Sequence, residues 1–154
     1  MRYILIAFML FFLGCEKIEV YKTSKDGKPV EFKKNEVQCV ECTMQLESKL
    51  HTAQAVMPSG RVYFFDDPGC LAKWYMKHKD PKIKLWVYTN DSKRYVDARR
   101  AWYKLGDKTP MNYGFGAYEK RVEGSVDFDE FVAMMARGEN MTNPAIRKKY
   151  LEAK

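Results

Sequence analysis

Residues 51–91 read HTAQAVMPSGRVYFFDDPGCLAKWYMKHKDPKIKLWVYTND, and this stretch decides the fold. His51 to Met57 and the β-forming run Arg61 to Phe65 flank the turn residues Pro58-Ser59-Gly60, a pattern that predicts a β-hairpin. Asp66-Asp67-Pro68 then supplies a carboxylate cap and a proline suited to the first helical position. Leu71, Trp74, Tyr75 and His78 recur at helical spacing, so a helix is expected to about Lys79. Asp80-Pro81 breaks it, and Leu85 to Thr89 reads as a further strand ending at Asn90-Asp91. The unit is ββαβ.

Downstream, a looser second unit follows. Tyr95 to Ala98, Ala101 to Leu105 and Ala117 to Val122 read as extended segments around a Gly-rich stretch at Gly114 and Gly116. Asp127 with Glu130 matches a capping box, and Phe128, Phe131, Val132 and Met135 form an apolar stripe that Gly138 ends. The expected class is α+β, a small domain built from two ββαβ-type units, at 36–138. Residues 139–154 read as a polar C-terminal tail, frayed or mobile. Residues 15–35, rich in Glu, Lys, Asp, Gly and Pro, read as a flexible tether.

At 154 residues the chain has room for one domain or two very small ones, which excludes a large multidomain enzyme. Its 31% charged residues, spread along the chain, argue against a polytopic membrane protein. The balance of 27 Lys+Arg over 20 Asp+Glu, or +7, favours anionic partners, but no run of five basic residues points to nucleic acid. At the N-terminus, Arg2 precedes an apolar run from Tyr3 to Leu13 that stops at Gly14-Cys15. That run is too short to span a bilayer and reads as an export signal over 1–14. Phe-Leu-Gly-Cys resembles a bacterial lipobox, with Phe12 in place of the usual aliphatic residue and Cys15 as the lipidated first residue of the mature protein. The expected location is the periplasmic side of a bacterial membrane, lipid-anchored.

If Cys15 carries lipid, Cys39, Cys42 and Cys70 remain, an odd number in an oxidising compartment. One disulfide cannot use them all. In Cys39-Val40-Glu41-Cys42-Thr43-Met44 two thiols can converge within a turn, and Met44 lies on the same side as Cys42 if the segment is extended. Thiolate with thioether is a soft donor pair that favours Cu(I), while a zinc site would want four Cys or His donors. Cys-x-x-Cys also occurs in zinc knuckles and redox motifs, so a structural zinc adaptor and an envelope thiol-disulfide oxidoreductase stay open. Cys70, in the first turn of the predicted helix, is expected to be a buried apolar residue. His51 is a candidate further ligand, and His78 is expected to be structural. Of Asp66-Asp67, one is expected as the helix cap. Met111 sits in the Pro/Gly-rich stretch Lys108 to Tyr118, where a long apolar side chain has less reason to be than in a helix stripe, which makes it a candidate ligand. No catalytic constellation is present in the sequence.

Taken together, the lipobox, Cys39-x-x-Cys42-x-Met44, Phe65-Asp66-Asp67-x-Gly69-Cys70-Leu71 with Trp74, and Thr109-Pro110-Met111 followed by Gly114-Phe115-Gly116-Ala117 resemble the NosL family of copper-binding lipoproteins. The resemblance spans about residues 36–122. It implies a fold of two ββαβ units and a non-enzymatic Cu(I) metallochaperone for the copper-sulfide centre of nitrous oxide reductase. Nitrous oxide reductase or its assembly factors and a membrane transporter complex are the implied partners. It also implies Cu(I) on Cys42 and Met44, with Met111 as third donor and Cys39 as a fourth. Thr43 stands where the family often has glycine.

Overall fold

The computed structural model describes residues 21–153. In chain order its strands are β1 (Tyr21–Thr23), β2 (Ala53–Val56), β3 (Arg61–Phe65), β4 (Lys84–Tyr88), β5 (Tyr95–Asp97), β6 (Trp102–Leu105) and β7 (Phe115–Tyr118). The α-helices are α1 (Pro68–Lys77), α2 (Phe128–Ala136) and α3 (Pro144–Glu152), with a short 3-10 turn at Ala98–Arg100. The protein is therefore a mixed α+β domain with two antiparallel sheets, as expected from the sequence.

The 51–91 stretch folds as its punctuation dictates. β2 and β3 pair in register from Ala53↔Phe65 to Val56↔Val62. Gly60 closes the turn at φ +86, a left-handed conformation that glycine adopts without penalty. Asp67 caps α1 by accepting from the Gly69 amide at 2.8 Å, with Pro68 at the first helical position. β4 returns along the other edge of β2, Ala53 opposite Val87. The order strand, strand, helix, strand thus runs through β2, β3, α1 and β4. All four β2 residues are buried, as are Phe64, Phe65, Leu71 and Leu85 around them. Burial of each such large aliphatic or aromatic side chain contributes about 1.5–3 kcal/mol.

The predicted tether is different in the structure over its described part. β1 lies antiparallel on β3, Tyr21 opposite Tyr63, and completes a five-stranded sheet in the order β1-β3-β2-β4-β5. Further on, the Gln54 amide, fully buried in β2, accepts from the Val30 amide at 2.8 Å and donates to its carbonyl at 2.9 Å. Phe32 then sets its ring edge-on to Phe64 at 5.7 Å. A polar composition hid these attachments because the partners are in the sheet, 24 residues away in the case of Gln54.

The second half departs further. β5 pairs with β4 and joins the first sheet, leaving β6 and β7 as a separate two-stranded sheet. β7 covers Phe115–Tyr118 and not residues 117–122, because Asp91 accepts from the Glu119 and Lys120 amides at 2.9 and 3.0 Å and turns the chain away. α2 starts at the Asp127 cap as expected and stacks Phe131 on Tyr103 at 4.1 Å. After α2 comes α3, not a strand, so no second strand–strand–helix–strand unit is completed among the described residues. α3 also replaces the frayed tail: Asn143 caps it, Pro144 begins it, and the Tyr150 side chain lies over Gly106. No helix among the described residues is long and apolar enough to cross a membrane. The signal segment 1–14 and Cys15 lie outside the described residues.

Candidate metal centre

Two structural arms meet to form the site. The first is a small hairpin over residues 37–46. Leu46 donates to the Val37 carbonyl at 3.0 Å and Cys39 to the Met44 carbonyl at 2.8 Å. Its tip is a tight turn in which the Thr43 amide reaches the Cys39 carbonyl at 2.9 Å. The hairpin docks on β3 beyond the end of β1, where Val40 donates to the Phe64 carbonyl at 3.0 Å. Thr43 adopts φ +66, a left-handed conformation that is costly for a β-branched residue. The extended geometry expected from Cys42 to Met44 is therefore not present: the chain reverses there, which is what a glycine at 43 would ease. Glu41, on the same turn, is held to α1 by Lys77 at 3.1 Å and Lys73 at 3.8 Å.

The second arm is the junction of β3 and α1. The strand ends at Phe65, Asp66 and Asp67 follow, and Cys70 lies in the first helical turn. Besides capping α1, Asp67 accepts from the Met111 amide at 3.0 Å, so the 109–114 loop is fastened to the helix start. Thr109 Oγ1 in turn accepts from the Gly114 amide at 3.1 Å. Gly69 is required here because the Tyr113 ring occupies the space of a side chain at that position. Burial pushes the Asp67 carboxyl up to about 6, against the pull of its hydrogen bonds to Thr109, Gly69 and Met111.

Where the arms meet, one ligand atom from each of Cys39, Cys42, Asp66 and Cys70 lies within 4.8 Å of the others. Three thiols and a carboxylate at this separation can hold a metal ion, drawn inward by modest side-chain adjustment. The cluster is graded in depth. Cys39 and Cys70 are 1% and 0% exposed and Asp66 3%, whereas Cys42 is only partly buried. The neighbouring Cys70 thiol holds Cys39 below the ordinary thiol value, and Cys39 together with burial raises Cys70. Burial pushes the Cys42 thiol up to about 12, and it donates to Asp66 Oδ1 at 3.1 Å. Asp66 Oδ2 is buried without a hydrogen-bond partner, a costly state for a carboxylate oxygen and one that an ion would relieve.

Beside the cluster opens a cleft of about 560 Å³ between residues 44–52 and Lys108, Thr109, Pro110 and Asn112, with Asp66 in its wall, and Met111 faces a separate cavity beside Met141 and Tyr150. Met44, 44% exposed, and Leu50, 40% exposed, make its rim apolar. His51 also lines it, with Nδ1 buried and unpartnered, and burial lowers its pKa.

Of the residues singled out from sequence, Cys39 and Cys42 fall in the cluster, and Met44 and His51 line the adjoining cleft. Met111 packs partly buried against the core, its backbone tied to Asp67. Cys70 is buried as expected but is also a member of the cluster, which corrects its reading as an apolar filler. Asp66 was missed. The signal was present in the paired carboxylates: only one can cap a helix, and the spare one is left at the strand end beside the thiols. His78 is structural, stacked on Trp74 at 4.1 Å with Nδ1 at 2.8 Å from the Trp74 carbonyl.

Comparison with models of known protein families and with curated proteins finds no match to this chain.

Proposed function

We propose that this protein is a Cu(I) carrier of the bacterial cell envelope, anchored through a lipid on Cys15 and serving assembly of the copper-sulfide centre of nitrous oxide reductase. The observation that carries the metal-binding part is the convergence of three sulfurs and one carboxylate within 4.8 Å at the edge of an open cleft. Sulfur donors dominate the set, which favours a soft monovalent ion over calcium or magnesium. In this reading copper is cargo and the protein is not an enzyme. Cys42, the least buried cluster thiol, is the point at which an acceptor's ligand displaces the donor's, with Met44 and Met111 as thioether donors in the exchange. The acceptor is nitrous oxide reductase or an assembly factor, reached alongside a membrane transporter complex. The resemblance of the quoted motifs to the NosL family supports this choice of cargo and destination.

One observation favours a second reading. With Asp66 the cluster offers four donors, the number a structural zinc site uses, and three of the four are buried. Anaerobic competition titration decides between them. Carriage of Cu(I) predicts stoichiometric binding against a Cu(I) chelator, weakened by Cys42→Ser by a factor on the order of 100 or more and less by Met44→Ala and Met111→Ala. Zinc that is retained until unfolding, with no Cu(I) taken from the chelator, would replace the carrier by the structural site. A metal-free protein that reduces disulfides through Cys39 and Cys42 would replace both.

A further inference from the structure

We propose that Cys39 and Cys70 are the disulfide-forming pair of this cluster, and that their oxidation converts a buried three-thiol metal site into a shallow one that retains Cys42 as its only thiol. The pairing stands on the arrangement of the thiols; its effect on metal rests on the Cu(I) reading above.

Three thiols within 4.8 Å admit three pairings, and the surroundings choose among them. Cys39 and Cys70 come from different arms, the hairpin and the first turn of α1, and their sulfurs lie within 4.8 Å of each other. Both lie in the apolar core at 1% and 0% exposure, where a disulfide, which has no donor to satisfy, is better accommodated than two thiols. Cys42 is engaged elsewhere, donating to Asp66 Oδ1 at 3.1 Å. A Cys39–Cys42 or Cys42–Cys70 link would remove that donor and leave Asp66, 3% exposed and already lacking a partner at Oδ2, with neither oxygen satisfied by it. The Cys39–Cys70 link leaves the Cys42–Asp66 bond intact.

Burial of the pair also sets the route. A small disulfide RS–SR, the oxidant class of an exported compartment, meets Cys42 first because it is the least buried of the three. Cys42 gives up its proton to solvent and attacks one sulfur, expelling RS⁻, which takes up a proton, and forms a mixed disulfide. Cys39 attacks the Cys42 sulfur and expels the second RS⁻. Cys70 then attacks Cys39, the Cys39–Cys42 bond breaks, and the Cys70 proton passes to the departing Cys42 sulfur. In balance, Cys39 and Cys70 lose two electrons and two protons, and RS–SR becomes two RSH. Cys42 is both entry point and surviving thiol. The donors then left near the cleft are Cys42, Asp66 and the thioether of Met44, a set with fewer thiolates and a lower hold on the ion.

The test equilibrates the full chain with oxidised and reduced glutathione over a range of ratios, alkylates the remaining thiols and maps the peptides by mass spectrometry. A Cys39–Cys70 peptide with alkylated Cys42 is the expected product, formed at least about tenfold more slowly by Cys42→Ser because entry is lost. A predominant Cys39–Cys42 peptide, a mixed disulfide persisting on Cys42, or no link at the most oxidising ratio overturns the pairing. Cu(I) titration of the two forms reads the consequence separately: affinity on the order of 100-fold weaker after oxidation is expected, and equal affinity overturns the conversion. Failure of both forms to take Cu(I), with the Cys39–Cys70 link present, rejects the copper reading and not the pairing.

Discussion

The helix arm and the hairpin arm of the candidate metal centre are built on different principles. Asp66 and Cys70 sit where a buried strand becomes a capped helix, and Asp67 holds that junction through bonds to Gly69 and Met111. Cys39, Cys42 and Met44 sit on a short hairpin whose tip is held by a few backbone bonds, a left-handed Thr43 and the ion pair of the largely buried Glu41 with Lys77. The base of the hairpin is anchored by Val37, Cys39 and Leu46 in the core, so any yielding is confined to its tip around Cys42 to Met44, which would suit an ion that has to come and go. Two fixed walls would make a permanent structural ion; two loose ones would make no site.

That contrast can be broken on the rigid side. Asp67→Ala removes a helix cap and leaves the Met111 amide without its acceptor, and is expected to cost about 2–4 kcal/mol in denaturant unfolding. A loss under about 1 kcal/mol would mean that the helix arm is no firmer than the hairpin. On the adjustable side the expected change is smaller and opposite in sign. Thr43→Gly relieves the strain at φ +66 and, after the greater freedom that glycine has in the unfolded chain, should stabilise the domain by about 0.5–1 kcal/mol. Destabilisation by this change would show that the Thr43 hydroxyl, which donates to the Cys42 carbonyl at 2.6 Å, matters more than the backbone. Glu41→Gln cuts the tie of the hairpin to α1. It should cost about 0.5–1 kcal/mol and speed metal release to a competing chelator. Unchanged release would make the tie irrelevant to exchange.

The smallest effect concerns His51 in the cleft wall. Burial holds its folded pKa below the unfolded value, so above about pH 6.5 the neutral ring is present in both states and no penalty arises. As pH falls below that value the unfolded chain takes up the proton first, and the metal-free protein loses stability until the folded value is passed. His51→Asn, with a residue tolerant of φ +66, should flatten the slope between pH 6.5 and 5 relative to the parent chain. An identical slope would assign the pH dependence to other groups.

Local signals carried the parts of the fold that local chemistry determines. The β2–β3 hairpin, the Asp67-Pro68 start of α1 and the Asp127 cap of α2 were legible because turn and cap residues act on their immediate neighbours. Attachment of residues 21–35 was not legible, since nothing in a polar segment announces a Gln54 amide waiting in the sheet. The site divides in the same way. Cys39 and Cys42 were visible from their spacing alone. Cys70 and Asp66 join them only because the hairpin crosses β3 at Phe64, a contact between segments some two dozen residues apart. A small, weakly polar thiol looks the same in sequence whether it fills a core or faces two others.

The Gln54 suture and the β1 edge have a practical consequence for any N-terminally shortened version of this protein. A shortened chain starting at residue 36 would keep every candidate ligand and still be a poor reagent. It would strip one flank of β3, exposing unpaired amides and carbonyls on an aromatic-rich strand, and would leave the central glutamine without its backbone partner. Such a truncation invites edge-to-edge association between copies, so a shortened form should begin upstream of Tyr21.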